Sequence, residues 1–325
     1  MKYSRLGRSG LEVSRIVLGC MSFGDMSRGG HPWVLDAEAA RPVILAALEA
    51  GITTFDTANV YSGGSSEEIV GNVLGEAAKR DEVIIATKVN GRMGPGPKGA
   101  GLSRGAIMAQ VDDSLRRLKT DYIDLYQIHR YDPTVPVEET LEALHDVVKA
   151  GKVRYIGASS MATWRFVQAQ YVADLHGWTR FISMQDQYNL LMREEEREMY
   201  PFCLDQGVGV LPWSPLARGR VARAWGASTR RSETDRFGAT LYRQAEESAH
   251  RIVDAVGDAA AARGVSRATV SLAWMLKKPF ITAPIVGVTH LAQLQDAVAA
   301  VDLHLSDEEV TSLEADYVPH RPEGY

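Results

Sequence analysis

The stretch Val83–His129, VIIATKVN GRMGPGPKGA GLSRGAIMAQ VDDSLRRLKT DYIDLYQIH, decides the reading of the fold. It opens on a β-branched run, Val83–Val89, crosses a glycine- and proline-rich segment, and closes on a second apolar run, Ile123–His129. Between the two runs, Ser103–Lys119 has a helical pattern. Ser103 is placed to cap it, and Ile107, Val111, Leu115 and Leu118 recur at the spacing of one helix face. Strand, helix, strand in this order is the unit of a parallel sheet, because a tight turn cannot join parallel neighbours.

The same grammar extends in both directions. Candidate strands are Arg15–Gly19, Thr53–Thr57, Val83–Val89, Ile123–His129, Val153–Ser159, Phe181–Gln187, Val208–Trp213 and Ile281–Gly287, eight in all. The helix after the fourth has Pro136 near its first turn, Leu141, Leu144 and Val148 as its apolar stripe, and Gly151 as a stop. Eight strands with helices between them predict an α/β chain closed into a (β/α)8 TIM barrel rather than a doubly wound sheet. A barrel of roughly 250 residues plus insertions would use all 325 residues as one domain, 1–325. Lys2–Ile16 is expected to form an N-terminal hairpin around Gly7–Gly10, and Ser306–Leu313 opens an extra C-terminal helix. Two segments break the rhythm: Asn90–Gly101 reads as a mobile loop, and Ser214–Tyr242, after the seventh strand, as a long arginine-rich insertion.

Composition narrows the class. Hydrophobic residues at 45% and charged residues at 24% suit a globular chain with a sizeable core. A formal charge of −5, with arginines scattered among carboxylates, argues against nucleic acid and for a small-molecule partner. Cys20 and Cys203 lie far apart, and neither has a cysteine or histidine beside it at metal-ligand spacing, so no disulfide and no metal site are expected. Met1–Gly10 has no apolar run of signal-peptide type and no later segment reaches membrane-spanning length; a cytoplasmic enzyme, monomer or homo-oligomer, is the expectation. Gly94, Gly96 and Gly99 have the spacing of a dinucleotide fingerprint. However, Pro95 and Pro97 remove backbone donors that it requires, and Lys98 is followed by glycine, so the run is read as a loop.

More specific is the placing of polar groups where apolar runs stop. Asp56, Lys88 and His129 fall at the ends of the second, third and fourth candidate strands, and Tyr61 follows the second by a few residues. Carboxyl-terminal strand ends build the active site of a β/α barrel, so these side chains would converge. Taken singly, each has an ordinary structural role: a cap, a lysine reaching solvent, a core histidine, a packed tyrosine. An interior lysine, however, needs a partner, and Asp56 supplies one. A phenol with a reference pKa of about 10 is a poor proton donor at neutral pH. A neighbouring ammonium would favour the phenolate, Asp56 would hold that ammonium charged, and His129 could hydrogen-bond a carbonyl oxygen or join the proton relay. Hydride would then come from a cofactor. Arg130, beside His129, is either a contact for an anionic substrate or an outward-facing loop charge.

At these residues the chain resembles the aldo-keto reductase superfamily: Phe55-Asp56-Thr57-Ala58 with Tyr61, then Ala86-Thr87-Lys88 and Gln127-Ile128-His129. The similarity runs from Arg5-Leu6-Gly7 through Tyr155-Ile156-Gly157-Ala158-Ser159 to Pro284-Ile285-Val286-Gly287. Trp213-Ser214-Pro215-Leu216-Ala217, with the insertion after it, is similar to a bacterial branch related to the β-subunits of voltage-gated potassium channels. The resemblance implies NADP(H) extended across the carboxyl-terminal face of the barrel, with NAD(H) as the alternative. By motif position, it implies that Ser159, Ser160 and Gln185 contact the nicotinamide carboxamide and that Trp213 stacks on its ring. Ser214, Leu216, Arg218 and Gly219 are implied along the pyrophosphate, and Gly287, Val288, Thr289, His290, Gln293 and Asp296 around the adenosine end. The chain departs from the family at Ser160, where asparagine is frequent, and at His290, where arginine or lysine often meets the adenosine phosphate. Two function classes follow: a reductase of a small carbonyl substrate, and a cofactor-binding, redox-sensing regulatory subunit with little turnover.

Overall fold

Gly7 turns the chain between two short antiparallel strands, β1 (Tyr3–Arg5) and β2 (Glu12–Ser14), and the expected hairpin forms with Tyr3 opposite Ser14. The computed structural model describes residues 1–235, 238–242 and 244–322; residues 236 and 237 of the arginine-rich insertion lie outside the described residues, as do 243 and 323–325.

Eight parallel strands follow: β3 (Val17–Gly19), β4 (Thr54–Asp56), β5 (Ile84–Val89), β6 (Ile123–Ile128), β7 (Val153–Ser159), β8 (Phe181–Gln185), β9 (Gly209–Val210) and β10 (Ile285–Val286). Their order is β10-β3-β4-β5-β6-β7-β8-β9, so each strand lies beside its neighbour in the chain and the last lies beside the first. The two edges also meet: the Ile285 N–H donates to the Pro212 carbonyl at 2.9 Å and the Thr282 N–H to the Val210 carbonyl at 3.0 Å. Closure removes the open edges that would otherwise offer unpaired backbone groups. All eight expected strands are present, but the first, second, sixth, seventh and eighth are each at least two residues shorter than their apolar runs. Beyond a short overlap these segments are held by single bonds, such as Val17 N–H to the Pro284 carbonyl at 3.0 Å.

Helix boundaries follow local chemistry. Ser103 caps Arg104–Leu118 by accepting the Ala106 N–H, and Lys119 ends it in the left-handed region at φ 53°. Pro136 precedes Val137–Lys149, and Gly151 follows it at φ +75°. Asp307–Glu314 begins with a capping box between Ser306 and Glu309. The insertion is not bare loop: it contains a short helix, Arg230–Thr234, and a buried ion pair from Arg218 to Asp235. Asn90–Gly101 closes on itself through Gly101 N–H to the Asn90 carbonyl at 2.7 Å. No helix among the described residues is long and apolar enough to cross a membrane.

Strand alternation divides the core. Ile85, Tyr126 and Ile156 face the helices, while Ile84, Ala86, Leu125 and Tyr155 face the barrel axis. Leu6 and Val13 of the hairpin join this inner cluster with Val17 and Ile285, so the hairpin plugs the amino-terminal end. The apolar filling stops one layer higher, where Lys88, Gln127 and Ser159 come two residues after Ala86, Leu125 and Gly157. Pairing of β7 with β8 skips a residue: Ile156 lies opposite Phe181 but Gly157 opposite Ser183, which sets Gln185 opposite Ser159.

The hairpin is seated through Gly7, whose φ is +62° and where an added Cβ would lie 2.2 Å from the Gly207 carbonyl oxygen and 2.6 Å from the Gly209 nitrogen. Gly7→Ala combines a left-handed conformation with a backbone clash and should cost about 1–3 kcal/mol. Urea unfolding should show a lowered midpoint at constant slope; an unchanged midpoint would mean that the plug does not bear on stability.

Candidate active site

Lys88 has no exposure to solvent, and its three ammonium protons each find an oxygen: Asp56 Oδ1, the Thr57 carbonyl at 2.9 Å and the Tyr61 hydroxyl at 3.2 Å. Burial works against the ammonium, but Asp56 and the Tyr61 oxygen outweigh it, and the Lys88 pKa lies above its ordinary value. The second carboxylate oxygen of Asp56 accepts from Gln127 Nε2 and from Gln185 Nε2, both at 3.0 Å, and Gln185 also donates to Gln127 Oε1 at 3.0 Å. Gly157 leaves space for this polar layer: a Cβ there would approach Ser183 Oγ to 2.4 Å and Gln127 Cγ to 3.0 Å.

Tyr61 stands on a turn just beyond β4. Pairing continues past Asp56 through Thr57 N–H to the Ala86 carbonyl at 2.8 Å and Asn59 N–H to the Lys88 carbonyl at 3.2 Å, which carries the turn over the lysine. The turn is then clamped by Ser65 Oγ donating to the Ser62 carbonyl at 2.7 Å and accepting the Asp25 N–H at 2.8 Å. The Tyr61 and His129 rings meet edge to face, 5.7 Å between centroids at 83°. Burial first, then the Lys88 and Arg130 cations, push the His129 pKa well below the usual histidine value, so its imidazole is neutral at neutral pH. All four residues expected from the strand ends therefore converge: a phenol touching a buried ammonium, with a neutral imidazole alongside.

The residues expected at the nicotinamide end also gather. Ser159 Oγ donates to the Gln185 carbonyl at 2.7 Å, and Trp213 Nε1 donates to Ser160 Oγ at 3.0 Å, fixing a partly exposed indole above the polar layer. With its amide nitrogen committed to Asp56 and Gln127, Gln185 keeps its side-chain Oε1 as the atom that can accept from a carboxamide. This donor and acceptor set fits a nicotinamide amide with a flat ring beside it.

Beyond Trp213 the chain takes left-handed values at Ser214, φ 52°, Arg218, φ 55°, and Gly219, φ 90°, and Leu216 lies between them. The loops after β9 and β10 leave strands whose edges meet, at the same end of the barrel. In the second loop Gly287 and His290 are exposed, and Gln293 Oε1 accepts the Thr289 N–H at 2.8 Å. Val288 is buried, and the Asp296 carbonyl accepts from Thr269 Oγ1 at 3.0 Å. The Arg218 guanidinium, which the resemblance puts along the pyrophosphate, is ion-paired with Asp235, which also accepts the Gly238 N–H at 2.8 Å. Gln127 and the Thr57 carbonyl were likewise missed as site groups. The signal for Gln127 was available, since it lies two residues before His129 and shares its strand face.

A model of the aldo/keto reductase family matches residues 15–317 of the chain. The chain belongs to that family. It is an NAD(P)H-dependent oxidoreductase acting on carbonyl groups. This aldo/keto reductase is 47% identical to versiconal hemiacetal acetate reductase of Aspergillus parasiticus, over 98% of each chain. It is 46% identical to a putative aryl-alcohol dehydrogenase of Schizosaccharomyces pombe, over 98% of this chain and 96% of the relative. An aldo-keto reductase of Metarhizium robertsii is 43% identical over 99% of this chain and 93% of its own length.

The neutral His129 makes a pH prediction for the reductase. Below about pH 6.5 an unfolded chain protonates this histidine while the folded chain does not, so stability is lost as the pH falls. His129→Asn removes that term. Wild type should lose up to about 1.4 kcal/mol more per pH unit than the variant below that point. Melting curves of both proteins from pH 8 to 5 check this, and parallel profiles would contradict the buried, neutral assignment.

Proposed function

We propose that this enzyme reduces a small aldehyde or ketone to the alcohol, reversibly, with NADPH as reductant and Tyr61 as the proton donor. The observation that carries the reading is the fully buried Lys88 held between Asp56 and the Tyr61 hydroxyl. The nicotinamide cofactor supplies a hydride from C4 when bound; the side chains manage the proton. As the proton leaves Tyr61 for the carbonyl oxygen, charge develops on a phenol oxygen 3.2 Å from the Lys88 ammonium, which stabilises it without reorganisation. Asp56 keeps that ammonium charged and aimed, and Gln127 and Gln185 hold Asp56. Neutral His129 can donate to the carbonyl oxygen and polarise it.

In this reading Ser159, Ser160, Gln185 and Trp213 hold the nicotinamide end. Ser214, Leu216, Arg218 and Gly219 follow the pyrophosphate; Gly287, Val288, Thr289, His290, Gln293 and Asp296 surround the adenosine. NADPH is preferred over NADH on the arginine content of the insertion, although His290 stands where relatives often have a stronger cation. The whole chain acts as one domain. Trp213–Ala217 supports a place among the reductases related to potassium-channel β-subunits, and the relatives named for aryl alcohols and a hemiacetal make carbonyls on an aromatic frame the first substrates to assay.

Tyr61→Phe should lower carbonyl reduction by about 10²-fold or more while NADPH affinity stays within a few-fold. Loss of nicotinamide absorbance with benzaldehyde, together with fluorescence titration of the cofactor, measures both quantities. Unchanged turnover would remove Tyr61 from the chemistry. Running the assay with NADH in parallel tests cofactor preference: a lower KM for NADPH is expected, and a lower KM for NADH would reverse that part of the reading.

A further inference from the structure

Two cations act on Tyr61, and among the described residues only one of them forms an ion pair. Lys88 is neutralised by Asp56; Arg130, among the described residues, forms no ion pair. Sequence left the direction of Arg130 open, and the structure turns it inward. Its Cζ lies 5.8 Å from the centroid of the Trp213 ring, its Nη1 donates to the His129 carbonyl at 2.7 Å, and its own carbonyl accepts from Asn90 Nδ2 at 3.3 Å. A guanidinium offers five N–H donors, so most of this one is uncommitted to protein, and the residue is part exposed rather than sealed.

This is not the setting of a surface charge. Partial burial reduces the screening that water gives an exposed arginine, and burial acts to lower the Arg130 pKa. The carboxyl that opposes this effect is Asp186, which is itself buried and makes no salt bridge to Arg130; burial and then Glu195 push its pKa up. The mouth beside Tyr61, His129 and Trp213 therefore carries a positive, fork-shaped donor set that, among the described residues, no carboxylate meets in a salt bridge.

We propose that Arg130 is a specificity-determining residue, and that the reductase takes aldehydes or ketones carrying a carboxylate, which pairs with the guanidinium while the carbonyl faces Tyr61 and His129. The proposal rests on the carbonyl-reductase reading above. A guanidinium and a carboxylate match as two parallel hydrogen bonds, a geometry that an ammonium cannot reproduce. The pairing is present before and during the reaction, so it acts on KM rather than kcat.

The test uses the three formylbenzoate isomers, which move the carboxylate around the ring, each beside its neutral methyl ester, with NADPH. At least one acid should exceed its ester in kcat/KM by about tenfold, through KM. Arg130→Gln should collapse that ratio by a similar factor, and Arg130→Lys should retain part of it. Calorimetric titration of benzoate and benzamide into the NADP+-loaded protein needs no turnover: benzoate should bind more tightly, and the difference should vanish in Arg130→Gln. If no aldehyde is consumed but benzoate still binds through Arg130, the reductase reading fails and the anion site stands. If wild type prefers neither acid nor benzoate, the proposal is overturned. It is also overturned if Arg130→Gln weakens NADPH binding and lowers activity on acid and ester equally, since the guanidinium would then serve the cofactor.

Discussion

An ammonium group with no contact with water is tolerated only where every proton has an acceptor and a carboxylate cancels its charge. Lys88 meets both conditions, and much of the barrel interior is arranged so that it can. Removing Asp56 alone would leave a bare buried cation, a change of the kind that costs about 3–5 kcal/mol. Asp56 in turn depends on two amides from β6 and β8, and those amides have room because β7 contributes Gly157 at that level. Five neighbouring parts of the barrel wall thus support one polar layer, above an apolar filling closed from below by the hairpin.

That layer also sets the charges around the Tyr61 phenol. The same low-dielectric surroundings that strengthen the Lys88–Asp56 attraction disfavour a second positive charge nearby, which is why His129 is held neutral. Phenol, ammonium and neutral imidazole therefore lie side by side with only one of them charged. Arg130 lies outside the sealed layer and keeps its charge at the rim, where its donors can reach a ligand.

Much of this was legible along the chain. Runs such as Val83–Val89 and capped helices such as Arg104–Leu118 are dictated by neighbours within a few residues, so periodicity and capping reveal them. Asp56, Lys88 and His129 were visible because charge at the end of an apolar run is costly unless the site uses it. Short strands at β9 and β10 were over-read because an apolar run marks burial, whereas ladder length depends on how far two tilted neighbours overlap.

Sequence by itself therefore determined the β/α repeat, the positions of the helix caps, and the residue types delivered to one end of the barrel. Only tertiary structure decided that Gln127 and Gln185 clamp Asp56, that one skipped residue sets Gln185 opposite Ser159, that Arg218 is taken by Asp235, and that Arg130 turns inward over Trp213. These outcomes depend on partners 17 to 129 residues away, or on a register shift. Local propensity carries no information about which distant group will share a hydrogen bond; closing the barrel does.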